Sequence, residues 1–142
     1  MSIASILRGK GGGVETVAPD TNIHVIVERL HARRIGAVLV TQDERVVGVV
    51  SERDVVRCLH EKGASVLDSS AADIMTSPVH SVSPQHSISE ALSLMSERRI
   101  RHLPVIEAGR LVGLVSIGDL VKRRIEDAEA EAGALQDYIR TA

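Results

Sequence analysis

Two stretches of this chain carry apolar residues at one helical spacing. Ile23, Ile26, Val27 and Leu30 recur at i, i+3, i+4 and i+7, and Ile88, Ala91, Leu92 and Met95 repeat the pattern. Such spacing gathers the apolar side chains into one stripe and predicts an amphipathic helix at each place. Asn22 and Ser87 stand just ahead of the stripes, where a side-chain oxygen can cap the first free amides. Ser87 with Glu90 has the spacing of a capping box. Two short apolar runs follow each helix, Ile35–Val40 and Arg45–Val50 in one case, Ile100–Val105 and Arg110–Val115 in the other. They read as strand pairs, joined by the polar turn Thr41-Gln42-Asp43-Glu44 and by Ile106–Gly109. Helices are expected again from Glu52 and from Ile117. With the extended pieces Thr16-Val17 and Ser81-Val82 ahead of Pro19 and Pro84, each stretch reads β-α-β-β-α.

The likeness extends to single residues. Slid along itself so that Val17 lands on Val82, the chain also sets Pro19 on Pro84 and Arg33-Arg34-Ile35 on Arg98-Arg99-Ile100. Gly48 then meets Gly113, Val50-Ser51 meets Val115-Ser116, and Asp54 meets Asp119, with no gap. This is a tandem duplication covering roughly 14–60 and 79–125. A mixed α/β (α+β) fold is expected, with two units packed sheet to sheet about a pseudo-two-fold axis and a cleft on each side. The expected divisions are a first repeat over 1–62, a Ser- and Ala-rich linker over 63–72, a second repeat over 73–125 and a helical tail over 126–142. Ile6-Leu7 echoes Ile74-Met75, although Gly11-Gly12-Gly13 stretches the first copy by three residues. In the tail, Val121, Ile125, Ala128, Ala132, Leu135 and Ile139 alternate by four and three. Ala and Gly133 weaken that seam, which should extend a dimer interface rather than form a free coiled coil.

Composition narrows the function. Hydrophobic residues make up 44% of the 142 but aromatics only 1%, so the core must be Val, Ile, Leu and Ala. Few rings and a net charge of −2 speak against single-strand platforms and against nucleic acid generally. One cysteine, Cys58, rules out a disulfide framework. No run approaches the ~20 apolar residues of a membrane span and no signal peptide is legible, so a cytoplasmic location is expected.

The phrase ending each repeat carries the candidate chemistry: Gly48-Val-Val-Ser51-Glu-Arg-Asp54 and Gly113-Leu-Val-Ser116-Ile-Gly-Asp119. Each Ser stands where a buried strand turns into a helix, and each Asp lies in that helix's first turn. A carboxylate there can take two hydrogen bonds from vicinal hydroxyls, as on a ribose. The Ser hydroxyl and free helix amides favour a phosphate. The Gly would let a planar group approach the strand. Ser-x-x-Asp is equally an ordinary capping box. Its recurrence at the same place in a duplicated unit favours the ligand reading.

These repeats and their paired motifs resemble the cystathionine β-synthase (CBS) domain, and the tandem pair resembles a Bateman module, over roughly residues 1–125. The resemblance implies a regulatory, non-enzymatic protein that binds adenosine-containing ligands such as AMP, ATP, NAD(H) or S-adenosylmethionine. It implies that Asp54 and Asp119 hold ribose and that Ser51 and Ser116 lie near ribose and phosphate. Ile35-Gly36-Ala37 and Ile100-Arg101-His102 would flank adenine and phosphate, Val49 and Leu114 would pack on the base, and Ser77, Val79 and Val82 would complete the walls. Arg101 and His102 offer a cationic pair where Gly36 and Ala37 offer none, and Arg53 has Gly118 as its counterpart, so the two clefts should differ. His102 adds charge only below about pH 6.5 unless a phosphate raises its pKa. A homodimer signalling to an unknown partner protein is implied. The alternative is a structural or oligomerisation module with unoccupied clefts.

Other groups add less. Lys10 among Gly9 and Gly11–Gly13 lacks the order of a Walker loop but could reach a bound phosphate. Arg33-Arg34 and Arg98-Arg99 suit either their helix dipoles or a phosphate. The six histidines show no metal-ligand spacing, and no nucleophile–base pair is legible, so neither metal nor catalytic residue is expected.

Overall fold

The computed structural model describes residues 1–10 and 13–141. Elements follow in the order α1 (Ile3–Lys10), β1 (Thr16–Val17), α2 (Ile23–Arg33), β2 (Ala37–Gln42), β3 (Arg45–Ser51) and α3 (Glu52–Lys62). After a 3-10 turn (Ala64–Asp68) come α4 (Ala71–Ile74), α5 (Ile88–Arg98), β4 (His102–Glu107), β5 (Arg110–Ser116) and α6 (Ile117–Thr141). The fold is the expected mixture of paired helices and small sheets.

Both stripe helices form for the reasons legible in their residues. Asn22 caps α2 by accepting the N–H of His24 at 2.8 Å, and Ser87 caps α5 by accepting that of Glu90 at 3.0 Å. Ile23, Ile26 and Leu30 are buried on the one, Ile88, Ala91 and Met95 on the other. Arg34 and Arg99 then end them in the left-handed conformation, at φ 53° and 54°.

The first strand of each pair begins later and runs further than its apolar run suggests, while the second begins where expected. The N–H groups of Ile35 and Ile100 return to Leu30 and Met95, at 3.1 and 3.0 Å, so these residues belong to the helix exits. At the other end a bulge after Val40 and after Val105 carries polar Gln42 and Glu107 into the ladder. Only two residues then turn each hairpin, Asp43-Glu44 and Ala108-Gly109, all at positive φ as a type I′ turn requires.

The two sheets are unequal for one local reason. The N–H of Leu39 donates to Glu15 at 3.2 Å, and β1 pairs in parallel with β2. At the matching place in β4 stands Pro104, which has no N–H to give. The second sheet therefore has two strands, extended only by a bridge from Val82 to Val105.

Two cores result, and they exchange helices. Ile3 and Ile6 of α1 are buried in the second core. Val66, Ala71 and Ile74 complete the first, which packs the Ser- and Ala-rich segment firmly against it. The attachments match. Ile3 and Ala4 donate to His86 and Pro84, both at 2.9 Å, while Ala71 and Ala72 donate to Thr21 and Pro19, at 2.8 and 2.9 Å. The echo between Ile6-Leu7 and Ile74-Met75 is this shared role.

Candidate functional site

Ser51 ends β3 and caps α3, and Ser116 ends β5 just ahead of α6. Ser51 Oγ accepts the Asp54 N–H at 3.2 Å, while the Asp54 carboxylate accepts the Ser51 N–H at 2.9 Å. Ser116 and Asp119 repeat this at 3.1 and 2.9 Å. Both motifs are thus capping boxes, and what separates them is what else each carboxylate meets.

Asp54 is filled. Its carboxylate also accepts the Ser51 hydroxyl at 2.9 Å and the Thr76 hydroxyl at 3.3 Å, and Arg57 Nη2 lies 3.2 Å away. Only 6% of the residue is exposed. The backbone of Thr76 seals the same place, accepting the N–H of Val49 at 3.1 Å and donating to its carbonyl at 2.9 Å.

Asp119 is more open, with 27% of its side chain exposed. Its further partner is the ammonium of Lys10, 2.7 Å from Oδ2, and that ammonium also donates to the Leu114 carbonyl at 2.9 Å. One long side chain does here what a hydroxyl and a backbone amide of Thr76 do in the first repeat. Burial pushes the Asp119 carboxyl up, but the Lys10 hydrogen bond, the Ser116 N–H and the Lys10 charge outweigh it and hold the group below its usual range.

A cavity of about 340 Å³ adjoins Lys10 and draws its walls from both repeats. Ile35 and Ala37 of the first repeat face Val112 and Leu114 of the second across it, with Val14, Glu15 and Arg33 along the side. The grouping by repeat is therefore replaced by a crossed one, in which the segment leading into β2 meets the strand residue of the other motif. Leu7, Val14, Glu15 and Val112 are not among the expected site residues, and Arg33 is expected only as suiting either its helix dipole or a phosphate. Glu15 lies 3.6 Å from Arg29 and 3.9 Å from Arg33, so the cavity's carboxylate is already answered by two guanidinium groups.

The other expected residues are dispersed. Gly48 and Gly113 do leave room over their strands, but the side chains of Met75 and Leu7 fill it, not an open slot for a planar group. Arg53 and Arg101 are exposed, as is Ser77, while Val79 is half-buried and Val82 is buried in the second core. Ile100 packs against that core too. His102 reaches across to the first repeat. A Cβ placed on Gly36 would stand 3.1 Å from both His102 Nε2 and Glu52 Oε1. Burial first, and the Lys10 charge second, push the imidazole's pKa below 6.5 against the opposing pull of Asp119 and Glu52. The charged form of His102 is therefore disfavoured before a ligand arrives. Among the described residues no group of three or more potential metal ligands occurs, and no helix is long and apolar enough to cross a membrane.

Comparison with known proteins supplies the family. Residues 13–61 and 71–126 each match the CBS domain. A CBS-domain protein of Agrobacterium tumefaciens is 40% identical, with a TM-score of 0.84 over 87% of this chain and 99% of that one. A CBS domain protein of Pyrobaculum aerophilum, solved in complex with AMP, is 30% identical, with a TM-score of 0.73 over 84% of this chain and 89% of its own. A mitochondrial CBS domain-containing protein of Arabidopsis thaliana is 28% identical over 98% of this chain and 72% of its own length. Two other relatives, 40% and 33% identical, are spanned over 33% and 22% of their length. The duplicated β-α-β-β-α units, their doubled Ser-x-x-Asp turns and these matches agree: the chain belongs to the CBS domain family and carries the domain twice in tandem.

Proposed function

We propose that this chain is a regulatory module, of the Bateman type, that takes an adenosine-containing ligand (AMP, ATP or NAD(H)) in the cleft beside Asp119. The observation that carries the reading is the difference between the two carboxylates. Asp54 is buried and filled by fixed groups, whereas Asp119 is held by the side chain of Lys10, which can leave and which itself lines a cavity of about 340 Å³. A ribose would give its hydroxyls to Asp119, the base would lie between Ile35 and Leu114, and phosphate would find Lys10 and Arg33. The AMP complex of the Pyrobaculum relative supports this class of ligand.

The reading makes the protein a sensor of energy or redox state and not an enzyme. Ser116 Oγ is engaged as a cap, and the half-buried His102 stands opposite it in the β4–β5 ladder. Signalling would run to a partner protein from a cytoplasmic homodimer. Val56 and Val121, equivalent in the two repeats, are exposed at 66% and 43%, and Ile125, Leu135 and Ile139 continue along α6, which supports pairing through these helices. The ligand acts only if it binds one arrangement of the dimer better than another.

For the first cleft the saturation of Asp54 favours the structural alternative, a site that stays empty. Calorimetry and thermal shift with AMP, ATP and NAD test the whole reading. One ligand equivalent per chain, abolished by Asp119→Ala and kept by Asp54→Asn, is the expected result. No heat and no shift with any of the three would sink it.

A further inference from the structure

We infer that Lys10 is an internal occupant of the Asp119 cleft, and that by having to be displaced it makes the cleft select anionic ligands over uncharged nucleosides. The inference rests on the reading of Asp119 as the ribose-holding group and adds a specificity-determining residue to it.

The Lys10 ammonium is 2.7 Å from Asp119 Oδ2 and donates to the Leu114 carbonyl at 2.9 Å. These are the carboxylate a pair of ribose hydroxyls would take and the backbone of the residue a base would cover. Lys10 takes Oδ2 and lies on the Leu114 carbonyl, so a ligand that pairs both ribose hydroxyls with this carboxylate and covers Leu114 has to move the ammonium aside. In the first repeat the corresponding positions are held by Thr76 through two backbone hydrogen bonds and a hydroxyl, which cannot leave without unpairing the chain from Val49. Lys10 ends α1, and its side chain is 41% exposed. Four methylenes let the ammonium swing while the helix stays seated on the second core.

What the swing costs depends on the ligand. An uncharged nucleoside takes the carboxylate and leaves the ammonium without its ion partner. A nucleotide takes the carboxylate and returns a phosphate to the same ammonium, a charge-assisted contact in place of the one lost. The neighbouring cation across the cavity, Arg33, already faces Glu15 at 3.9 Å. Burial, and then the Lys10 charge, disfavour the protonated form of His102. Lys10 is thus the cation set free by binding itself.

The test is calorimetric titration of the wild-type protein and of Lys10→Met with AMP and with adenosine. Methionine keeps the aliphatic stem and removes the charge. Adenosine should bind Lys10→Met about tenfold tighter, the competitor being gone, and AMP should gain nothing, so its preference over adenosine should fall by about tenfold or more. Lys10→Gln serves as a second variant, and cooperative melting of each verifies folding. An AMP-to-adenosine ratio unchanged within twofold, in proteins that bind AMP, overturns the inference while leaving the nucleotide reading intact. Absence of binding by every protein overturns both.

Discussion

Met75 lies over Gly48, its side chain occupying the space that any Cβ at that position would need. The motif glycine is therefore required by the protein's own chain, through the residue that ends helix α4. Leu7 of α1 imposes the same condition on Gly113.

Gly48→Ala should accordingly destabilise the fold by about 1–3 kcal/mol, the usual cost of overpacking. Adding Met75→Ala should recover part of that loss, because the new methyl then enters space the methionine vacated. Urea unfolding of the single and double variants measures the coupling. Additive losses would show that Met75 is not what excludes the methyl.

Asp54→Ala and Asp119→Ala should separate stability from binding. Removing Asp54 strips partners from the Thr76 hydroxyl and from Ser51 in a buried place, at about 2–3 kcal/mol. Removing Asp119 loses a cap at about 1 kcal/mol and the proposed ribose contact with it. Denaturation curves and AMP titrations on both variants check the contrast, and equal losses of stability would refute it.

His102 predicts a pH dependence of folding. Its pKa in the folded chain lies below the 6.5 of the free group, so the unfolded chain takes up the proton first. Stability should be full above pH 6.5 and decline as pH falls through the depressed value. Burial is the largest cause of the shift; Lys10 and Arg101 also repel the proton, while Asp119 and Glu52 attract it. Melting temperatures at pH 7.5 and about 5.5 should differ less in His102→Gln than in the wild type.

The exposed valines predict the assembly. Val121→Glu should shift the protein from dimer to monomer in sedimentation velocity, since it places a charge among the exposed apolar residues in the first turns of α6. An unchanged sedimentation coefficient would move the interface elsewhere.

Much of this was open to reading in the residues. Periodicity and caps located both stripe helices, because local spacing determines which face a helix buries. The doubled Ser-x-x-Asp turns were found for the same reason, since the capping geometry spans four neighbouring residues. What sequence spacing did not reveal lies in contacts between distant residues. Ile35 and Leu114 share a cavity although they belong to different repeats, and no local pattern records a crossing. Lys10 was singled out for its glycine neighbours, yet its meeting with Asp119 depends on α1 lying against the second core. The missing strand beside Pro104 was legible in principle, from a proline without an N–H at the place where Leu39 donates one.

The exchange of α1 and α4 has a consequence for how the chain comes off the ribosome. The first sheet can close as soon as Met75 emerges, because its covering helix follows it. The second sheet's cover, α1, is synthesised before any strand it covers, and its partners Pro84, His86 and Gly113 arrive only much later. Until then Ile3, Ile6 and Leu7 present an apolar edge with nowhere to dock. Closure over so long a stretch of chain is slow compared with local pairing, so the docking of α1 on the second sheet should follow the pairing of β4 with β5.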